Sequence, residues 1–156
     1  MFNERPRYYF LTSGTGDAST ALNAFDAALI DAGVGDTNLI KLSSIMPPGA
    51  TEIKAFPFPK GSFVPLAYAE YVSDSPGTRI SAAVAVGIPV DENEAGLIME
   101  CGGIGHPDLW EERARYMVVE GMEGVRNRRI KEIQSISATA VVKLVGAVFA
   151  GVILCP

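Results

Sequence analysis

The 156-residue chain has little of what most enzymes use for catalysis: one histidine and two cysteines. The histidine, His106, stands before a proline where a helical pattern begins. It reads as a turn or capping residue, so a serine–histidine–aspartate triad is not expected. Cys101 and Cys155 make neither a disulfide framework nor a metal quartet, and no metal is expected. Cys155 reads as packed in or beside the core. Positive charge is also scarce, with 13 Lys and Arg against 18 Asp and Glu and a net charge of -5. With a pI near 4.9, this argues against nucleic acid or an acidic membrane surface as a partner. The one arginine cluster, "RNRR" at 126–129, reads as a solvated helix end. No apolar run is long enough for a membrane-spanning helix: "LVGAVFAGVILC" (144–155) reads as a buried strand. The stretch "MFNERPRYYF" lacks the apolar core of a signal peptide, so a cytoplasmic location is expected. "GTGDAST" (14–20) has neither the lysine of a P-loop nor the full dinucleotide fingerprint, and reads as a plain loop.

What the chain does have is apolar surface. Hydrophobic residues make up 48% and charged residues only 20%, with a mean hydropathy of +0.22. The length suits one domain with a real core, and no linker or repeat divides it. Part of so apolar a surface is expected to be buried against other copies of the chain. Strands are expected at 7–14 and 37–45, the second stopped by Pro47 and Pro48. Between them, 20–35 reads as a helix, with Leu22, Phe25, Leu29 and Ile30 at helical spacing and glycine at its end. Three strands follow at 61–74, 78–90 and 95–103, the first two joined by "SDSPGT" as a hairpin turn. A helix over 106–129, capped by Asp108 or the preceding turn, and one or two strands close the chain. This order predicts a single α+β domain built as a layered sandwich.

With the common catalytic sets set aside, three classes remain: a cofactor-free enzyme, an enzyme whose cofactor is made from its own chain, or a protein without catalysis. "IKLSSIMPPG" (40–49) fits the second. Where a strand end strains the Ser43–Ser44 bond, the Ser44 hydroxyl can attack the Ser43 carbonyl and turn the amide into an ester. Elimination leaves dehydroalanine, which hydrolyses to a ketone with loss of ammonia. The product is a pyruvoyl group, an electrophile that no ordinary side chain provides.

The surroundings of the serine pair carry a resemblance. "LNAFDAALIDAGVGDTNLIKLSSIMPPGA" (22–50), "GSFVPLAYAEYVSDSPGTRISAAVAVGIP" (61–89) and "GLIMECGG" (96–103) closely resemble the pyruvoyl-dependent arginine decarboxylases best known from archaea. The likeness covers most of 9–103 and continues more weakly to the end. It implies self-cleavage between Ser43 and Ser44 into a β chain, 1–43, and an α chain, 44–156, that begins with the pyruvoyl group. It implies Glu100 as the catalytic acid, Asn38 as the residue assisting processing and geometry, and Asp26 as the receptor of the substrate guanidinium. It further implies a four-layer αββα sandwich, trimers of αβ units with active sites between subunits, and no pyridoxal phosphate. Stacking of two trimers into a hexamer stays open. "CGGIGHPDLWEE" (101–112) does not match the family residue by residue, which leaves the strand end, the helix entry and any role for His106 unassigned.

Each implied role has a chemical reason. The α-amino group of arginine can condense with the ketone, and the Schiff base acts as an electron sink when CO2 leaves. A carboxylic acid can then protonate the former α-carbon. Glu100 lies between an apolar strand and a glycine pair, where desolvation raises a carboxyl's pKa. A carboxylate such as Asp26 pairs bidentately with a guanidinium. Asn38 offers a neutral donor and acceptor for a developing oxyanion. The bland alternatives are a strand-end glutamate, a helix-surface aspartate and a turn asparagine. Two competing functions also follow: decarboxylation of another amino acid, or an uncleaved, non-catalytic trimer that binds or scaffolds. The leading expectation is a carboxy-lyase converting L-arginine to agmatine and CO2.

Overall fold

Chemistry at a strand end depends on how the strands are laid out. The computed structural model describes residues 4–156, so the first three residues of the stretch read against a signal peptide lie outside it. The order of elements is β1 (Tyr8–Ala18), α1 (Ala21–Asp31), β2 (Asn38–Lys41), β3 (Ile45–Met46), β4 (Thr51–Glu52), β5 (Phe63–Ser73) and β6 (Arg79–Pro89), followed by β7 (Gly96–Ile104), α2 (Pro107–Val119) with a π-helical turn (Glu120–Val125), β8 (Ile130–Val141) and β9 (Val145–Cys155). The chain is α+β, as expected.

Two sheets form, in the orders β2-β5-β9-β1-β4 and β3-β7-β6-β8. The first is mixed, because β2 and β4 run parallel to β5 and β1. The second is antiparallel throughout. Apolar side chains of both sheets meet in one cluster that includes Ile98, Val84, Val152 and Met46. A second cluster packs α1 on the first sheet through Ala24, Ala28, Phe149 and Leu66. A third packs α2 on the second sheet through Ala114, Val118 and Leu97. Strand β9 is therefore covered on both faces, which is why its sequence is an unbroken apolar run rather than an alternation.

Three local readings are corrected. "SDSPGT" is not a hairpin turn: β5 lies in the first sheet and β6 in the second, so the turn carries the chain from one sheet to the other. The same residue types serve either connection, and only the pairing partners distinguish them. "GTGDAST" is not a loop up to Ala18, because β1 continues through it and pairs with β9 to the last residue, Ala18 with Val145. Its glycines are there for the helix: a Cβ on Gly14 or Gly16 would collide with the backbone carbonyls of Ala28 or Ala24. So close an approach leaves room only for alanine at the contact, and this shifts the expected helix face: Phe25 and Leu29 still pack against the sheet, but not Leu22 and Ile30. Ala24 and Ala28 are buried, whereas Leu22 is 77% and Ile30 61% exposed.

The helix expected to run to 129 ends at Val125, with "RNRR" directly after it: Asn127 and Arg129 are exposed as expected of a helix end, but Arg128 is tied down. Asn127 has φ 53°, and Arg128 pairs with Glu94 at 2.7 Å and donates to Ala95 O at 2.9 Å, bracing the loop before β7. At its start, the His106 ring accepts from Asp108 N at 3.3 Å, the capping role expected of it.

Candidate active site

The strand expected over 37–45 is split, and the split makes the site. Strand β2 pairs with β5 as far as Lys41 opposite Leu66, and Leu42 N still donates to Leu66 O at 2.9 Å. Three residues later, Ile45 pairs with Leu97 of β7 in the other sheet. The Ser43–Ser44 link is therefore the crossing between sheets. Ser44 sits at φ 68° there, a left-handed conformation that costs a side-chain-bearing residue about 1–3 kcal/mol. The conformation is fixed from the far side, where Ile98 N donates to Ser44 O at 2.9 Å.

Two residues beyond Ile98 on the same strand, Glu100 reaches the crossing. The Ser44 hydroxyl donates to Glu100 Oε1 at 2.7 Å. The second carboxylate oxygen, Oε2, is buried and has no protein partner. Glu100 lies opposite Val84 of the wholly apolar central part of β6. Burial pushes its pKa up, while the Ser44 hydroxyl and the charge of Lys41 pull in the opposite direction. A carboxyl so placed can take a proton from the hydroxyl that touches it, or hold a proton in an apolar setting.

The other expected residues are less tightly gathered. Asn38 opens β2, with its N–H on Ser62 O at 2.8 Å and its side-chain amide donating to Gly61 O at 3.0 Å. It is exposed and fixes the start of β2, without touching Ser44 through a hydrogen bond. Ser43 is exposed. Asp26 is exposed on α1, which packs on the first sheet, and among the described residues its side chain makes no hydrogen bond or ion pair with Ser44 or Glu100. One chain thus brings together Ser44 and Glu100 and leaves Asp26 apart. The prolines after the site end β3 in a turn: Ala50 N donates to Pro47 O at 3.2 Å, and Gly49 takes φ 71°.

The unassigned segment 101–112 finishes β7 at Ile104 and enters α2 through Gly105 and His106. Cys101 points the opposite way from Glu100, toward α2, and its thiol donates to Trp110 O at 3.2 Å. One nearby residue was missed. Lys41, three positions before Ser44, places its ammonium 4.5 Å from the centre of the Tyr68 ring. The lysine is visible in "IKLSS", but its aromatic partner lies on another strand and no local spacing signals the pair. Among the described residues no group of three or more metal-ligating side chains comes together, and no helix is long and apolar enough to cross a membrane.

Comparison with known proteins places the whole chain in one family. A family model described as pyruvoyl-dependent arginine decarboxylase matches residues 8–152. The chain is 42% identical over 151 residues to a pyruvoyl-dependent arginine decarboxylase of Methanococcus maripaludis strain C7, covering 97% of this chain and 92% of the relative. The enzyme of that name from Methanocaldococcus jannaschii is 42% identical over 149 residues, covering 96% and 90%. That from Pyrococcus horikoshii is 40% identical over 154 residues, covering 97% and 96%.

Proposed function

We propose that this chain, which belongs to the pyruvoyl-dependent arginine decarboxylase family, cuts itself between Ser43 and Ser44 and converts L-arginine to agmatine and carbon dioxide. The observation that carries the reading is the 2.7 Å hydrogen bond from the Ser44 hydroxyl to Glu100, made at a residue held at φ 68°.

The self-cleavage starts from that contact. Ser44 Oγ adds to the Ser43 carbonyl carbon as Glu100 takes the hydroxyl proton. The C–N bond then breaks, the Ser44 nitrogen is protonated, and an ester joins the two residues. Loss of the Ser44 α-proton and of the ester oxygen frees Ser43 as a carboxylate and leaves dehydroalanine at position 44. Addition of water and release of ammonia give the pyruvoyl group at the head of 44–156. Relief of the left-handed strain at Ser44 favours the forward direction. Asn38, at the start of the strand that leads into the bond, keeps one amide hydrogen beyond its contact with Gly61 and is assigned to the geometry of this step.

The surrounding residues fit the group. The buried, unpartnered Glu100 Oε2 gives the site a proton position that the uncleaved chain does not use. The pyruvoyl ketone supplies a sink for the electrons released with CO2. Glu100 holds the proton that the substrate's α-carbon takes in exchange. Cleavage itself prepares it for this, because the Ser44 hydroxyl, one of the two influences lowering its pKa, is consumed. The same carboxyl thus serves as base before cleavage and as acid afterwards. Asp26 is assigned to the substrate guanidinium, for which a carboxylate offers two acceptors.

The assembly is a four-layer αββα sandwich in trimers of αβ units, in the cytoplasm. Support comes from the three apolar clusters in sequence across the fold and from exposed apolar side chains on the strands beside the crossing, Ile40, Ile45 and Phe63. A site completed between subunits also accounts for an Asp26 that makes no ion pair with the catalytic pair of its own chain. Turnover of a panel of amino acids tests the reading. Agmatine from arginine, with far slower release of CO2 from lysine, ornithine and glutamate, is expected. Faster decarboxylation of a neutral or acidic amino acid would overturn the substrate assignment.

A further inference from the structure

A cut on the amino side of Ser44 leaves its carbonyl bonded to Ile45, with the neighbours it had before. That carbonyl accepts from Ile98 N at 2.9 Å, and among the described residues no other hydrogen bond reaches it. The donor is held rigidly. Alternation along β7 turns the N–H groups of odd-numbered residues toward β6, as Gly105 N on Arg79 O does, and those of even-numbered residues toward β3. The Ile98 N–H therefore points at the crossing. Its side chain is fully buried in the cluster between the sheets, opposite Val86 of β6. Ile45 and Met46, paired with Leu97 and Gly96, hold the acceptor in line from the other side. Neither group is free to swing away when charge appears between them.

Charge appears there in the elimination. Removal of the Ser44 α-proton leaves its electron pair at the α-carbon, and the Ser44 carbonyl is the group that can share it, its oxygen becoming an enolate. The pair then makes the double bond to Cβ as the Cβ–Oγ bond breaks and Ser43 departs as a carboxylate. A hydrogen on the α-carbon of an amide is a very weak acid. The step is therefore slow unless the enolate oxygen meets a donor already aimed at it.

We propose that the Ile98 N–H is the catalytic donor of this elimination, stabilising the enolate oxygen of residue 44 while the α-proton passes to Glu100. The inference rests on the self-cleavage reading above. Glu100, 2.7 Å from Ser44 Oγ in the uncleaved chain, is a carboxylate again by then, because the proton it took has gone to the Ser44 nitrogen. The same bond also fixes the backbone of Ser44, so a structural role and a catalytic one fall on different steps. The first would be felt in the acyl shift that makes the ester, the second in the loss of that ester.

The test uses full-length chain from cell-free translation in which a suppressor tRNA replaces Ile98 with its α-hydroxy acid counterpart. One N–H gives way to an ester oxygen and the side chain stays. Samples are denatured over time in hydroxylamine, which cuts an ester between residues 43 and 44 and marks fragment 1–43 as a hydroxamate. Elimination instead releases that fragment as a carboxylate, and mass distinguishes the two; the added backbone ester cuts only between 97 and 98. The hydroxamate is expected to build up, with the carboxylate form appearing about a hundredfold more slowly than in the wild type. The same replacement at Met99, whose N–H faces β6, is expected to leave the pace of release unchanged.

Prompt release of the carboxylate form from the Ile98 variant would overturn the proposal, as would equal slowing in the Met99 variant. A folded Ile98 variant that forms no ester would also overturn it, because the bond would then act in the acyl shift. If the Ile98 variant fails to fold, amide hydrogen exchange of the wild-type protein decides. After cleavage the Ile98 N–H is expected to exchange as slowly as that of Met99, and exchange as fast as in the unfolded chain would overturn the proposal. A wild-type chain that yields neither form of fragment 1–43 defeats the self-cleavage reading itself, an outcome distinct from these.

Discussion

The Ser44 hydroxyl and the Glu100 carboxylate, 56 positions apart in the chain, meet at 2.7 Å where the backbone passes from one sheet to the other. The crossing is what brings the two together. It gives Ser44 a left-handed backbone that an ordinary strand would not impose, and it brings the hydroxyl against a strand of the opposite sheet. A base and a strained bond therefore arise from a single feature of the topology.

The double use proposed for Glu100 predicts opposite pH dependences. On that reading self-cleavage draws on the carboxylate and should rise with pH, whereas decarboxylation draws on the acid and should fall as pH rises through the Glu100 pKa. Glu100→Gln should slow decarboxylation by about a hundredfold or more. Stability supplies an independent check. A carboxyl whose pKa is raised in the folded state contributes fully below its unfolded pKa, and that contribution is lost as pH rises through the folded value. In a Ser44→Ala background, where every chain stays whole, Glu100→Gln should therefore gain in Tm relative to Glu100 between about pH 4 and about pH 8. A constant Tm difference across that range would contradict the burial of this group.

Ser44→Ala should remain a single chain with no decarboxylase activity. Ser44→Gly should be equally uncleaved but more stable than Ser44→Ala by about 0.5–1 kcal/mol, because glycine adopts φ near 68° without a Cβ penalty. Urea unfolding of the two variants measures this. Equal midpoints would mean that no strain is stored at the crossing.

Asp26 is exposed and unpaired with Ser44 or Glu100 of its own chain, so Asp26→Asn should leave Tm essentially unchanged. Loss of a charge-assisted pair with the guanidinium should raise KM for arginine about tenfold to a hundredfold. Steady-state kinetics beside a thermal melt separates the two effects. An unaltered KM would remove Asp26 from the substrate site.

Gly16→Ala should destabilise the fold by about 3 kcal/mol or more, since its Cβ would meet the carbonyl of Ala24 and the backbone N–H of Ala28, neither of which can turn aside. The variant should show a lower urea midpoint with an unchanged m-value. A loss below about 1 kcal/mol would mean that α1 does not press on β1 as described.

Much of this was legible in the sequence, though unevenly. The apolar run of β9 announced a strand covered on both faces, and His106 before proline announced a helix cap. Ser44 and Glu100 were found through the likeness of their surroundings to a family, and spacing alone would not have joined them. Their hydrogen bond depends on which sheet each strand enters, a long-range choice that local patterns do not encode. The same limit turned "SDSPGT" into an expected hairpin, since a turn's residues fix its bend but not the partners of the strands it joins. Leu22 and Ile30 misled for another reason. Helical spacing marks an apolar stripe, but two glycines on β1 decide that Ala24 and Ala28 make the closest approach to the sheet, with Phe25 and Leu29 packed beside them and Leu22 and Ile30 left outside.

The most direct test is the intact mass of the purified protein under denaturing conditions. The prediction is two chains, 1–43 and 44–156, the larger resistant to stepwise degradation from its amino end and reactive toward a carbonyl reagent. A single chain of 16.6 kDa that persists on incubation would contradict the self-cleavage at Ser43–Ser44, and with it the origin of the catalytic group.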